Sequence, residues 1–373
     1  MEKGFSVSLK GLAHDQNGKP KQDYASAIKG EGFSIAVVCD GHGSDKHFRS
    51  EVGSQVATEV TEAILLDFAK QFPDYESAAV DFGKKSEQIR IGIVSKWADG
   101  VCQNSIDNPF TEKELQSGVA KGVDYFSKYS MLVPYGTTIL AVLLCKDYYL
   151  ALMIGDGAMI RILPDKDAVE ETFEGKAFGD RVESMCNQNS AFKIYTKLVK
   201  LEEGMENIAF VLTSDGYCES EAFTSRDMML NWPKKYLAFI AAKGADEAYE
   251  PIAKQLEQVS AVSSANDDIS IAIAVNDISA YMPKPKPQEE KAEAEKEQPT
   301  EQATEQPTEQ ATEQPTEQAT EQPTEQVAEE ATEQVAEEAT EPEQEVKQEC
   351  SCENQPRVET YENDGDDEKD ARD

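Results

Sequence analysis

Four aspartates, Asp40, Asp156, Asp215 and Asp267, share one kind of position: each falls at a strand edge or in a turn flanking a strand, beside Gly, Ser, Asn or Asp. One aspartate so placed is ordinary turn chemistry. Four of them suggest a site for a hard, oxygen-preferring cation such as Mg2+ or Mn2+, provided the strands that bear them pack side by side. Around Asp40 the pattern is most explicit. The run Phe33-Ser-Ile-Ala-Val-Val-Cys39 has the length and β-branched content of a buried strand, and it ends in Asp40-Gly41-His42-Gly43, where two glycines let the backbone turn without steric cost. The Asp40 carboxylate and the Gly41 carbonyl can face a cation together, and His42 is placed to handle a proton beside it. The same four residues also suit a plain strand-to-helix turn, with Asp40 capping a helix that begins near Asp45. The only histidines are His14, His42 and His47, and no cysteine cluster accompanies them, which argues against zinc hydrolase chemistry.

The elements that must position these side chains follow from periodicity. Phe5 to Leu9 alternates as a strand, and His14 to Tyr24 reads as a polar, Gly- and Pro-containing loop feeding a second strand at Tyr24 to Ile28. Residues 45–69 place Val52, Val56, Val60, Ile64, Leu65 and Phe68 at helical spacing. Two more helices are expected over 75–97 and 111–130. Gly136 to Cys145 and Tyr148 to Ile154, joined by Lys146-Asp147, form a hairpin of buried strands, and Gly155-Asp156-Gly157 turns into a third strand at Ala158 to Leu163. Phe192 to Leu198 and Ile208 to Leu212 are further strands, the latter followed by Asp215-Gly216. Helices over 223–231 and 234–259 lead through Ser263-Ser-Ala-Asn-Asp267-Asp268 to a closing strand, Ile269 to Val275.

Composition divides the 373 residues near Pro283. Beyond it lie roughly 30 acidic and about 8 basic residues, so about −22 of the net −36 sits in the last quarter of the chain. That segment repeats Pro-Thr-Glu-Gln-Ala-Thr-Glu-Gln, holds almost nothing to bury, and is expected to be a disordered tail over 283–373 behind a folded domain over 1–282. The tail either only solvates the protein or tethers a basic partner. Cys350 and Cys352 have no second pair with which to bind metal. Strong negative charge opposes nucleic acid phosphates and anionic lipid alike, so neither is an expected partner. Scattered cysteines, two of them inside strand-like runs, the lack of a signal-peptide core and the lack of any apolar run of membrane-spanning length lead to a monomeric, reduced, cytoplasmic protein.

Six motifs in order carry a resemblance: Gln22-Asp23, Val38-Cys39-Asp40-Gly41-His42-Gly43, Tyr135-Gly136-Thr137-Thr138, Ile154-Gly155-Asp156-Gly157, Leu212-Thr213-Ser214-Asp215-Gly216 and Asn266-Asp267-Asp268-Ile269-Ser270. Together they resemble the metal-dependent protein Ser/Thr phosphatases of type 2C, and in particular their bacterial members. The resemblance implies an α/β sandwich: two packed antiparallel sheets flanked by helices, with a metal cleft at one edge. It implies that Asp40 bridges two Mg2+ or Mn2+ ions, that the Gly41 carbonyl binds one, that Asp215 and Asp267 complete the other, that Asp23 acts through water, and that Asp156 corresponds to a third, weaker position. The implied reaction is in-line hydrolysis of phosphoserine or phosphothreonine in a protein substrate by an activated water, with no phosphoenzyme and with His42 as the acid for the leaving alkoxide.

This chain departs from many relatives in the first loop. Gln22 stands where a glutamate is common, and the phosphate-binding arginine has no counterpart, leaving His14, Lys19 and Lys21 as substrate contacts in its place. His47 is expected on a helix surface, Thr137 and Thr138 within the sheet, and Asp268 either in a turn or on the metal. The alternative function is a catalytically weak relative that binds phosphorylated partners.

Overall fold

A computed structural model of the chain describes residues 1–119, 130–176, 183–262 and 266–283; the repeats, Cys350 and Cys352, the end of the helix expected over 111–130 and Ser263 to Ala265 lie outside them. Eleven strands are described, and their ladders are all antiparallel. Strands β1 (Glu2–Lys3), β3 (Tyr24–Gly30), β4 (Phe33–Cys39), β5 (Ile139–Cys145), β6 (Tyr148–Ile154) and β9 (Tyr195–Lys200) form one sheet in the order β1-β3-β4-β5-β6-β9. The second sheet runs β2-β11-β10-β7-β8, from β2 (Phe5–Leu9), β7 (Ala158–Ile162), β8 (Val169–Glu170), β10 (Ala209–Thr213) and β11 (Ile269–Val275). The first and last long strands of the domain are thus neighbours, Ile269 opposite Leu9.

Period-two alternation sends successive side chains of each central strand into different cores. In β5, Ile139, Ala141, Leu143 and Cys145 enter a core under the helices, whereas Leu140, Val142 and Leu144 meet Phe210, Leu212, Ala272 and Ala274 of the other sheet. Buried on both faces, β5 and β6 are apolar throughout.

Helices α2 (Ser50–Gln71) and α4 (Phe82–Asp107) cover the six-stranded sheet, while α8 (Pro233–Lys243) and α9 (Ala245–Val262) cover the other. The expected sandwich is therefore observed, with four local corrections. The loop after β2 holds a short helix, α1 (Leu12–Gln16). Helix α2 starts at Ser50, not near Asp45, and its buried face is mostly small: Gly53, Ser54, Ala57, Thr58 and Thr61, while Val52, Val56 and Val60 are half-buried. Gly53 explains this, since a Cβ there would lie 1.9 Å from the Tyr135 carbonyl oxygen. The helical segment over 75–97 is two helices, α3 (Tyr75–Ala79) and α4, and that over 234–259 is likewise two, α8 and α9, separated at Gly244, whose φ of +83° no continuous helix permits. The rest of 111–130 that is described is α5 (Glu112–Val119). Short helices α6 (Asp215–Cys218) and α7 (Arg226–Asn231) follow β10.

Candidate metal centre

Each candidate aspartate sits where a strand stops or begins, and backbone contacts fix its stem. Asp40 follows β4; its carbonyl accepts from Thr138 N–H and from Thr137 Oγ1, both at 2.8 Å, and its N–H donates to Thr138 Oγ1 at 3.0 Å. Thr137 and Thr138 therefore hold the Asp40 backbone as well as packing. Asp215 opens α6 directly after β10, where Ser214 N–H donates to the Ser270 carbonyl and Ser270 N–H donates to Ser214 Oγ, each at 3.0 Å. That exchange joins the Asp215 turn to the start of β11, one residue beyond Asp268. Asp156 lies in the turn between β6 and β7, and Asp267 immediately before β11. Two glycines make the crossings possible: a Cβ on Gly41 would lie 2.3 Å from the Gln22 carbonyl oxygen, and one on Gly216 would lie 2.0 Å from that of Asp268.

The carboxyls are brought close enough to act on one another. Burial, then repulsion from Asp23 and Asp215, pushes the Asp40 carboxyl well above the usual carboxylate range, and it donates a hydrogen bond to Asp215. Asp215 is pushed up to about 6 by burial and then by Asp156 and Asp267. Asp23, 3 % exposed behind them, is pushed up to about 8 by burial and then by Asp268 and Asp215. Burial also raises Asp156, against the pull of Lys176, whose Nζ donates to the Gly155 carbonyl at 2.8 Å. Asp215 Oδ1 and Asp23 Oδ2 are buried without a hydrogen-bond partner. Carboxylates that raise one another's proton affinity, with lone pairs unused, offer the kind of oxygen donors that a divalent cation takes. The residues present fit such an ion.

Asp268 is taken up by the first loop. Its Oδ1 accepts from Gly11 N–H and His14 Nδ1, both at 2.8 Å, and its Oδ2 accepts from Gln22 N–H at 2.5 Å and Asp23 N–H at 3.2 Å. Burial opposes its charge, but the bonds from His14, Gly11 and Gln22 outweigh that and hold it below the ordinary range. Of the two roles open to Asp268, the geometry takes the turn: it pins the first loop to the last strand.

The histidines and lysines are placed less as expected. The His42 ring lies against His47, centroids 4.8 Å apart, and burial, followed by His47 and Lys46, pushes it down to about 3. His47 is not on a helix surface: it is buried ahead of α2, with Nδ1 against the Val133 carbonyl, because residues 44–49 form turns instead of the helix's first turn. Arg49 is buried there too, paired with Glu114 of α5 at 2.9 Å. Lys21 is occupied by Ser8 Oγ at 2.8 Å and lies over the Tyr24 ring, whereas Lys19 reaches the Gly43 carbonyl and, at 3.7 Å, Asp45. It is Lys19, not Lys21, that the structure brings to the Asp40 turn. Lys176 was missed altogether, since nothing in a weakly patterned stretch marks one lysine as facing Asp156.

Two packed antiparallel sheets flanked by helices, with aspartates at the ends of their central strands, define one class of α/β sandwich. A sequence profile described as Protein phosphatase 2C matches residues 10–260, and the chain belongs to that family of serine/threonine phosphatases. No curated protein sequence matches it. Among solved structures, a bacterial serine phosphatase is similar at 12 % identity over 73 % of this chain and 96 % of its own, with a TM-score of 0.45. The catalytic domain of the serine threonine protein phosphatase PstP, in complex with two manganese ions, is similar at 15 % identity over 73 % and 97 %, with a TM-score of 0.44. RsbX in complex with magnesium is similar at 12 % identity over 72 % and 92 %, with a TM-score of 0.38. The family assignment rests on the profile. Among the described residues no helix is long and apolar enough to cross a membrane.

Proposed function

We propose that this chain hydrolyses phosphoserine and phosphothreonine in proteins with the help of two divalent cations, Mn2+ or Mg2+, at the Asp40 cage, a third being a weaker occupant beside Asp156. The observation that carries this reading is the set of mutually repelling carboxyls with unpartnered buried oxygens. Asp40, Asp215 and Asp267, with the Gly41 carbonyl, would hold the ions, and Asp23 would act on them through water. Bound there, the ions would supply Lewis acidity both to water and to the phosphoryl oxygens, whose negative charge otherwise repels a nucleophile. The chain's own residues do the rest. Thr137, Thr138 and Ser214 fix the carboxylate stems, so no reorganisation is needed when charge develops. Lys19 and His14 stand at the loop where the missing arginine would be, and Lys19 is the cation available to a phosphoryl group. His42, neutral in the resting protein, is assigned to take a proton from the attacking water and hand it to the leaving alkoxide.

On the same reading the protein acts as a cytoplasmic monomer, residues 1–282 forming the catalytic domain, with neither nucleic acid nor membrane as partner; a net charge of −36 favours that. The test is Mn2+-dependent release of phosphate from a phosphothreonine peptide by the full chain and by Asp215→Ala. Wild type should turn over and Asp215→Ala should lose at least about a hundredfold, in line with removing a metal ligand. Tight peptide binding without turnover in either protein would instead favour the phosphoprotein-binding alternative.

A further inference from the structure

The first loop places a nitrogen ligand beside the cage. His14 is 6 % exposed, with Nδ1 2.8 Å from Asp268 Oδ1 and Nε2 3.4 Å from Asp267 Oδ1. Asp268 is an acceptor with all its bonds made, so Nδ1 carries a proton and donates it. A carboxylate holding one ring nitrogen in this way leaves the other facing outward as a ligand, the arrangement that orients metal-binding histidines generally. The contact of Nε2 with Asp267 is slack. A charge-assisted N–H···O bond closes to about 2.7–2.9 Å, and Asp267 Oδ1 stops short of that because it accepts from Asp268 N–H at 2.8 Å; its side chain is 41 % exposed, which leaves lone pairs open toward solvent. Two ligand atoms 3.4 Å apart, each about 2.1 Å from an ion, subtend roughly 105–110° at it, an ordinary angle between neighbouring ligands.

A second, separate observation points to the same spot. Gln22 is 3 % exposed and its Oε1 has no partner. The orientation of its amide is fixed, because Nε2 donates to the His42 carbonyl at 3.3 Å and to Ser50 Oγ at 2.5 Å, and a carbonyl can only accept. The bare side of Gly43 collects both groups: a Cβ built there would lie 3.7 Å from His14 Nε2 and 3.8 Å from Gln22 Oε1, with no closer neighbour. Gly43 is exposed, so the place is open to ions from solvent.

We infer that His14 Nε2, Asp267 and the Gln22 amide oxygen form a nitrogen-bearing cation position at the rim of the cage, one that takes Mn2+ in preference to Mg2+. Imidazole suits transition metals, whereas Mg2+ keeps to oxygen. The neutral Gln22 is then a ligand fitted to this position and not merely a weakened carboxylate. The inference rests on the proposed cage, since Asp267 belongs to both.

The test uses the full chain and Mn2+ alone, with pulsed electron paramagnetic resonance reporting 14N coupling and equilibrium dialysis reporting stoichiometry. Wild type should show Mn2+ coupled to a directly bound nitrogen. The coupling should vanish in His14→Gln with the loss of about one bound ion, and should persist in the double variant His42→Gln/His47→Gln, in which His14 is the sole histidine. That double variant decides the assignment even where His14→Gln does not fold. Bound Mn2+ without 14N coupling in wild type, or coupling lost in the double variant, overturns the inference and leaves the oxygen cage standing. No bound Mn2+ at all overturns both.

Discussion

Replacing Asp215 with asparagine should make the ion-free protein more stable, although it should cripple the enzyme. Asp215 is held at about 6 against an ordinary 3.8, by burial first and then by Asp156 and Asp267. At pH 7.5 it is ionised in the folded and unfolded chain alike, so a gap of about two pH units means that folding works against that charge by about 3 kcal/mol. Asparagine has the same shape and no charge. It weakens the bond now accepted from Asp40, a loss of about 1 kcal/mol, leaving a net gain of about 2 kcal/mol. For a domain of this size that is a rise in melting temperature of roughly 4–8 °C. The assay is thermal denaturation followed by circular dichroism at pH 7.5, first in chelator and then in Mn2+. Asp215→Asn should melt above wild type in chelator and below it in Mn2+, because only wild type gains from binding the ion. A variant that melts below wild type in chelator would refute the reasoning, for it would mean that Asp215 is already compensated by groups of the protein.

Two further outcomes follow from the same charges. Without ions, stability should fall between about pH 6.5 and 8: Asp23, raised to about 8, and His14, raised by its bond to Asp268, both keep protons in the fold that the unfolded chain has given up, so rising pH favours unfolding. Below pH 6.5 His42 and His47, lowered to about 3 and about 4, act the opposite way and offset part of the fall that Asp23, Asp40 and Asp215 cause, so the slope is shallower there. Urea midpoints in chelator across pH 5–8.5 should show a loss of about 2 kcal/mol over the upper window, and a flat or rising profile there would be incompatible with a buried, protonated Asp23. Asp268→Ala should remove about 3–5 kcal/mol and weaken Mn2+ binding, since it leaves Gly11 N–H, Gln22 N–H, Asp23 N–H and His14 Nδ1 without their acceptor; a loss under 1 kcal/mol in chemical denaturation would show that water replaces it.

The central strands were legible because they are buried on both faces and read as unbroken apolar runs; β4, β6, β10 and β11 lie within about a residue of their sequence positions, and β5 ends where expected but starts three residues later, at Ile139. The helices were less so where tertiary contact overrides periodicity. The apolar stripe of α2 points to Val52, Val56 and Val60, yet its most buried positions there are Gly53, Ala57 and Thr61, because α2 is pressed among the sheet, α4 and the turn at Tyr135 and small residues allow that approach. No apolar pattern marks α1, since its purpose is polar: it delivers His14 to Asp268 across 254 positions of sequence. The aspartates were legible as types at turns, and their convergence came from pairings such as β10 with β11. What sequence could not give is which amide or imidazole atom is left over when the local bonds are made, as with Gln22 Oε1, because that depends on Ser50 and the His42 carbonyl.

The cage therefore sets function against stability within one piece of structure. Asp23, Asp40, Asp156, Asp215 and Asp267 come from five different chain connections, so no local geometry keeps them together. They meet because two sheets pack face to face through Leu140, Val142, Phe210 and Leu212, and because helices seal both outer faces. Apolar burial of that extent overrides the repulsion, which in the ion-free state can be relieved only by holding protons, as Asp40 and Asp23 do. On the proposed reading, divalent cations and protons would compete for the same oxygens. An ion that binds must displace those protons, so its affinity should climb with pH over the range in which the ion-free fold weakens. The charges that make this place unfavourable for the bare chain are the ones that would make it a cation site.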